Sequence, residues 1–137
     1  DVQLTLIQTA PVTGAIIVTT PSEVSLEDAR KAVLMFQQVR VPVLGIVENM
    51  SYMVVPQTGQ RIDVFGEGGG RRTAEVMGVP FLGELPLDPE IRIGGDSGSP
   101  VTLKGQGDPG ADGFLNIARR MVEQPRTRKA PSITVTD

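Results

Sequence analysis

Three apolar runs in this chain end in residues able to recognise a flat polar ligand. Gly45-Ile46-Val47 gives way to Glu48-Asn49-Met50-Ser51, Ala15-Ile16-Ile17-Val18 to Thr19-Thr20-Pro21, and Phe81-Leu82-Gly83-Glu84-Leu85 to Pro86-Leu87-Asp88. Asn49 is the sharpest candidate. Its carboxamide carries a donor and an acceptor side by side, which is what the edge of a purine asks for. The competing reading is that Asn49 caps its own strand end through local backbone hydrogen bonds.

Gly66-Glu67-Gly68-Gly69-Gly70 opens directly into a helical pattern, so its backbone N–H groups could face an anion. The phosphate-loop spacing Gly-x-x-x-x-Gly-Lys-[Ser/Thr] is absent, however: Lys31, Lys104 and Lys129 all lack the preceding glycines. The cluster also follows no buried strand, as a phosphate loop must. A tight turn that lets two backbones approach closely accounts for it equally well. Asp88, Glu90, Arg92 and Asp96 are too ordinary in spacing to assign as catalysts, and paired carboxylates near a proline turn suit the dipole of a helix start. No nucleophile–base pair can be assembled from them.

Composition narrows the chemistry further. The 137 residues contain no cysteine and no histidine. That excludes disulfides, thiolate nucleophiles, imidazole bases and the usual zinc sets. The formal charge of −3 gives no electrostatic reason to expect nucleic acid. No apolar run approaches the roughly 20 residues of a membrane span. At 39% hydrophobic and 21% charged, the chain reads as one soluble, globular domain. Its start at Asp1, without methionine or a signal pattern, suggests a cut inside a longer protein.

The elements that position the three polar ends follow from periodicity. Residues 15–20 and 43–47 are β-branched apolar runs of the kind buried on both faces in parallel sheets. Between them Leu26, Ala29, Val33 and Phe36 recur at helical spacing, with Ser25 as the expected N-cap and Asp28 at the reciprocal position. The unit is a β-α-β crossover with parallel strands. Residues 52–64 suggest a hairpin around Pro56-Gln57-Thr58-Gly59, and Gly70–Met77 a helix stopped by Gly78. A third strand spans residues 81–85. Asp88-Pro89 starts a short helix, residues 94–113 suggest a surface loop, and Gly113–Glu123 a last helix. Residues 125–137 suggest a flexible tail. Asp1–Gln8 fits a strand or a truncated helix.

Together these segments resemble one family. Gly14–Pro21 (GAIIVTTP), Asp28–Lys31 (DARK), Val41–Ser51 (VPVLGIVENMS), Val64–Arg71 (VFGEGGGR) and Gly78–Pro89 (GVPFLGELPLDP) look like the Mrp/ApbC iron–sulfur cluster carrier ATPases. The resemblance runs from Asp1 to about Met121. It implies the C-terminal part of a doubly wound, mostly parallel sheet of the MinD/ParA-like P-loop NTPase type, over residues 1–124. It also implies that the opening segment is a helix, and that the phosphate and magnesium ligands precede Asp1. What carries over is base recognition, with Asn49 as the adenine contact and Pro86 and Asp88 lining the base or ribose. ATP with magnesium, a cytoplasmic homodimer and iron–sulfur client proteins are implied for the parent. Many members carry Cys-x-x-Cys after the Asn-Met-Ser strand, where this chain has Val55 and Thr58. Neither side chain offers a thiolate to iron. A reading from another class is a dimerisation or protein-interaction module, with the hairpin and the glycine turn as contact surface.

Overall fold

The computed structural model describes residues 2–124. Its core is a three-stranded parallel sheet in the order β1 (Ala15–Thr19), β2 (Val43–Glu48), β5 (Phe81–Glu84), with β2 central. A separate antiparallel pair, β3 (Met53–Val54) and β4 (Arg61–Ile62), forms the expected hairpin. Parallel strands need crossovers. Here they are α2 (Glu23–Gln38), between β1 and β2, and α3 (Gly69–Met77), between β2 and β5.

Helices cover both faces of the sheet, as the doubly wound reading requires. In register, Ile17 lies beside Ile46, and Val18 beside Val47. Ile17, Ile46 and Val43 pack with Ala29 and Val33 of α2 and Ala74 of α3. On the opposite face Val47, Leu82 and Leu85 pack with Ile117 of α5 (Pro109–Val122), joined by Phe114 and Met121. That cover stops short of β1, where Ile16 and Val18 stay exposed. The opening segment is a helix, α1 (Val2–Thr9), with none of its residues buried.

Two expectations are corrected. Helix α2 starts at Glu23 and not after Ser25, because Ser22 takes the N-cap position and its hydroxyl accepts from Ser25 N–H. Ser25 turns its own hydroxyl to the end of β1, 2.7 Å from Thr19 Oγ1 and 3.0 Å from Thr20 N. Either serine satisfies the capping pattern, and the strand end decides between them.

Residues 94–113 are the second correction, because they are largely helical. Helix α4 (Pro89–Ser97) runs through Gly94 and Gly95, a 3-10 turn spans Val101–Lys104, and α5 begins at Pro109. Gly94, Gly110 and Gly113 serve close packing. A Cβ on Gly94 would sit 2.7 Å from the Ser99 carbonyl oxygen, and one on Gly113 would sit 3.0 Å from Leu85 Cδ2. Asp108 caps α5 by accepting from Ala111 N–H at 3.0 Å. Asp108→Ala should lower stability by about 1 kcal/mol in urea denaturation, and an unchanged midpoint would show that the cap contributes nothing. The tail expected over 125–137 lies outside the described residues.

Candidate functional site at the carboxyl ends of the strands

The three polar ends meet at one edge of the sheet. Asn49 N–H donates to the Thr19 carbonyl at 2.6 Å, joining the end of β2 to that of β1. On the other side Leu85 N–H donates to the Glu48 carbonyl and Ser51 N–H to the Leu85 carbonyl, each at 2.9 Å, and Leu87 N–H donates to the Tyr52 carbonyl at 2.6 Å. These backbone bonds fix the carboxyl edge, where open α/β sheets bind their ligands.

Asn49 is half-buried there, and its Oδ1 accepts from Met50 N–H at 2.9 Å. The local capping bond therefore exists, and it does not exhaust the side chain. Met50 sits at φ 51, a left-handed conformation uncommon for methionine. With Oδ1 held by Met50, the amide has a fixed orientation. Its Nδ2 makes no hydrogen bond to another described residue. Asp88 is half-buried and caps α4, its Oδ1 accepting from Glu90 N–H at 2.9 Å, so one carboxylate oxygen remains. Pro86 is buried and shapes the turn out of β5.

The glycine cluster is taken up by the protein itself. Gly68 caps α3 with φ 72 and has no side chain to receive the helix N–H groups. Glu48 supplies the missing acceptor: its Oε1 receives Gly70 N–H at 2.7 Å. A Cβ on Gly70 would lie 2.9 Å from that same Oε1, and one on Gly69 would lie 2.6 Å from Leu26 Cδ1. The turn is glycine-rich because strand, helix and carboxylate converge on it.

Sequence reasoning passed over the side chains that surround this carboxylate. Ser51 Oγ lies 2.5 Å from Glu48 Oε2 and 2.7 Å from Glu84 Oε2. Arg61, on the hairpin, donates to Glu84 at 3.2 Å and to Asp63 at 3.0 Å, and its guanidinium stacks 4.2 Å from the Tyr52 ring centroid. Only the polar types at strand ends hinted at this network. Arg61 is raised further above its ordinary value: partial burial opposes its charge, and Asp63 and Glu84 outweigh that. An open groove of about 450 Å³ runs beyond β5 past Tyr52, Arg71, Phe81 and Arg120, and none of Asn49, Pro86 and Asp88 lines it.

Burial, aided by Glu84, raises the Tyr52 phenol above its ordinary value of 10.0, against the pull of Arg61. The folded chain then keeps the phenol proton at a pH where the unfolded chain has lost it, so this contribution to stability declines as pH rises above 10.0. Tyr52 is the single tyrosine in a chain without tryptophan, which makes its ultraviolet titration unambiguous. Its midpoint should lie above 10.0 in the folded chain and return to 10.0 in urea. A folded midpoint below that of the urea state would contradict this.

At the hairpin tip Val55 and Thr58 share one tight turn, with Thr58 N–H directed to the Val55 carbonyl at 3.3 Å. The spacing suits a pair of ligands, but no thiolate is present. Among the described residues no group of three or more Asp, Glu, His or Cys side chains could hold a metal ion. Among them also, no helix is long and apolar enough to cross a membrane.

Comparison with known proteins agrees with this geometry. The chain is 49% identical over 128 residues to the iron-sulfur cluster carrier protein of Deinococcus radiodurans, covering 93% of this chain and 36% of that protein. It therefore spans well under half the length of that relative. Among solved structures it superposes on a nucleotide-binding protein from Archaeoglobus fulgidus in complex with ADP, with a TM-score of 0.63 and 40% identity, over 70% of this chain and 40% of the other. The septum site-determining protein MinD of Pyrococcus horikoshii, complexed with Mg-ADP, aligns with a TM-score of 0.58 and 25% identity, over 91% and 45%. The profile of the ParA family described as "NUBPL iron-transfer P-loop NTPase" matches residues 1–122. With this match over nearly the whole chain, its parallel sheet and its two helical layers, the chain belongs to this family of iron-transfer P-loop NTPases.

Proposed function

We propose that this chain is the base-recognising, C-terminal part of an ATP-binding and ATP-hydrolysing protein that serves iron–sulfur cluster assembly in the cytoplasm. The observation that carries the reading is the Asn49 amide, oriented by Met50 N–H and left with free Nδ2 hydrogens at the meeting point of three strand ends. Asn49 would read the adenine edge, the free oxygen of Asp88 would take a ribose hydroxyl, and Pro86 would hold the turn between them. The phosphates and magnesium do not fit residues 2–124, because the one glycine-rich helix start is already occupied by Glu48. Their ligands would come from a preceding segment.

The relatives' cargo, an iron–sulfur cluster, does not fit the hairpin of this chain. Hydrocarbon at Val55 and a hydroxyl at Thr58 stand where thiolates are needed. Anaerobic reconstitution of the chain should give no iron–sulfide absorbance, whereas the Val55→Cys/Thr58→Cys variant should acquire it. A cluster band in the unmodified chain would overturn this part of the reading. The chain alone should also show no magnesium-dependent ATP turnover, and ordinary turnover would contradict the division of labour.

A second reading, homodimer contact through the hairpin, is supported by its exposed apolar side chains. Val54, Ile62, Val64 and Phe65 are all accessible within one short excursion. Ile62→Asp should shift any dimer toward monomer in sedimentation, and an unchanged mass for a dimeric chain would argue against the hairpin as interface.

A further inference from the structure

We propose that the groove along the outer edge of β5 is a docking site for an extended, acidic segment of a partner protein, whose carboxylate is taken by Arg71 and Arg120. Strand β5 pairs with β2 on one side and, among the described residues, with no strand on the other. An edge of that kind offers main-chain N–H and C=O groups to a second chain. Gly83 lines the groove of about 450 Å³ with no side chain in the way, so the main chain is within reach there. A register shift opposite Ile46 and Val47 interrupts the ladder, however. Few main-chain bonds are therefore on offer, and charged side chains must carry the selectivity.

Two cations line this groove from the two helical layers, Arg71 from α3 and Arg120 from the last turn of α5. Neither guanidinium has a carboxylate partner among the described residues. Arg71 lies 4.6 Å from the Phe81 ring centroid, a contact that holds its head group beside β5 and leaves its N–H groups unpaired. Asn116 lines the groove one helical turn before Arg120. Its Oδ1 accepts from Arg119 at 3.3 Å, so its amide hydrogens are unclaimed.

Two acids line the same groove and decide which anion suits it. Glu84 already has Ser51 and Arg61 as partners. Asp112 accepts from Gly107 N–H at 3.1 Å and has no basic partner among the described residues. Asp112 therefore offsets one of the two free cations. The single positive charge that remains suits one carboxylate, whereas a phosphate monoester brings nearly two charges toward Asp112 and is repelled. The second oxygen of Asp112 is an acceptor for a peptide N–H, which a simple carboxylate ion does not bring.

The site is separate from the base edge, since none of Asn49, Pro86 and Asp88 lines it, and it stands independently of the nucleotide reading. The test is fluorescence anisotropy of the peptide fluorescein-Val-Asp-Val-Asp-Val-amide with the 137-residue chain, beside the same peptide with Asn for Asp. The Asp peptide should bind saturably. Replacing Asp by Asn, Arg71→Ala and Arg120→Ala should each weaken binding about tenfold, the worth of one charge-assisted hydrogen bond. Arg72→Ala removes the same charge from α3 outside the groove and should bind like the unmodified chain. All three arginines are exposed, so these variants should fold. Succinate or inorganic phosphate at the peptide's own concentration should not displace it. No saturable binding, equal affinity for the Asn peptide, equal losses for Arg71→Ala and Arg72→Ala, or displacement by either small ion would overturn the proposal.

Discussion

Gly45→Ala should lower the unfolding free energy by about 3 kcal/mol, at the upper end of overpacking effects. Gly45 is buried in the central strand, with Leu82 of β5 directly against it. A Cβ there would stand 2.5 Å from Leu82 Cγ and 2.8 Å from the Pro80 carbonyl oxygen. Leu82 has no exposure and no room to yield. The Pro80 carbonyl cannot retreat either, because it accepts from Ile46 N–H at 2.9 Å and so holds β5 to β2. One methyl group therefore sets side-chain packing against strand pairing. Urea denaturation should show a lower midpoint with an unchanged slope. A loss below about 0.5 kcal/mol, the usual range for surface substitutions, would mean that the sheet repacks freely at this point.

Glu48→Ala should cost a similar amount, about 3 kcal/mol, for a different reason. The substitution leaves Gly70 N–H buried without its acceptor, while the Ser51 hydroxyl keeps Glu84 alone. Stranding one such group costs about 1–3 kcal/mol, and the vacated volume adds a cavity penalty. Gln at the same position keeps the shape and both contacts, so its thermal midpoint should stay near that of the unmodified chain. Equal losses for Ala and Gln would show that the carboxyl is needed as a charge and not as a hydrogen-bonding frame.

Much of this architecture is legible in the sequence, for physical reasons. Residues 43–47 carry no polar side chain because both faces of the central strand are covered, whereas residues 15–18 are equally apolar although one face of β1 stays open, and the stripe Leu26, Ala29, Val33 can only be a helix facing them. Asp88-Pro89 announced α4, since proline tolerates the first helical turn and aspartate caps it. The same Asp-Pro pair at 108–109 starts α5, yet Gly105, Gly107, Gly110 and Gly113 masked it. Glycine lowers helix propensity locally, and the tight approach that demands Gly110 and Gly113 comes from Val101 and Leu85, tertiary neighbours that no local pattern reveals.

The candidate site divides along similar lines. Asn49, Pro86 and Asp88 could be singled out because strand ends in a parallel sheet fall on one edge, and backbone bonds do set the ends of β1, β2 and β5 side by side. Glu48, Ser51, Glu84 and Arg61 were not, because their meeting depends on register across β2 and β5 and on how the hairpin folds back. The glycine cluster is the tight turn with close approach that its pattern suggested, rather than a phosphate cradle. It has the look of an anion cradle, and the anion-like group that fills it is a side chain from the neighbouring strand.

The most direct test of base recognition is an amide NMR titration of the chain with AMP, taken into the range of about 1 mM, where binding worth roughly 4 kcal/mol becomes visible. The Asn49 side-chain amide and the backbone amides of residues 86–88 should move and saturate. Asn49→Ala should weaken that response about tenfold, a difference of about 1.4 kcal/mol. Shifts confined to Gly66–Gly70, or an identical titration in Asn49→Ala, would contradict Asn49 as the adenine contact.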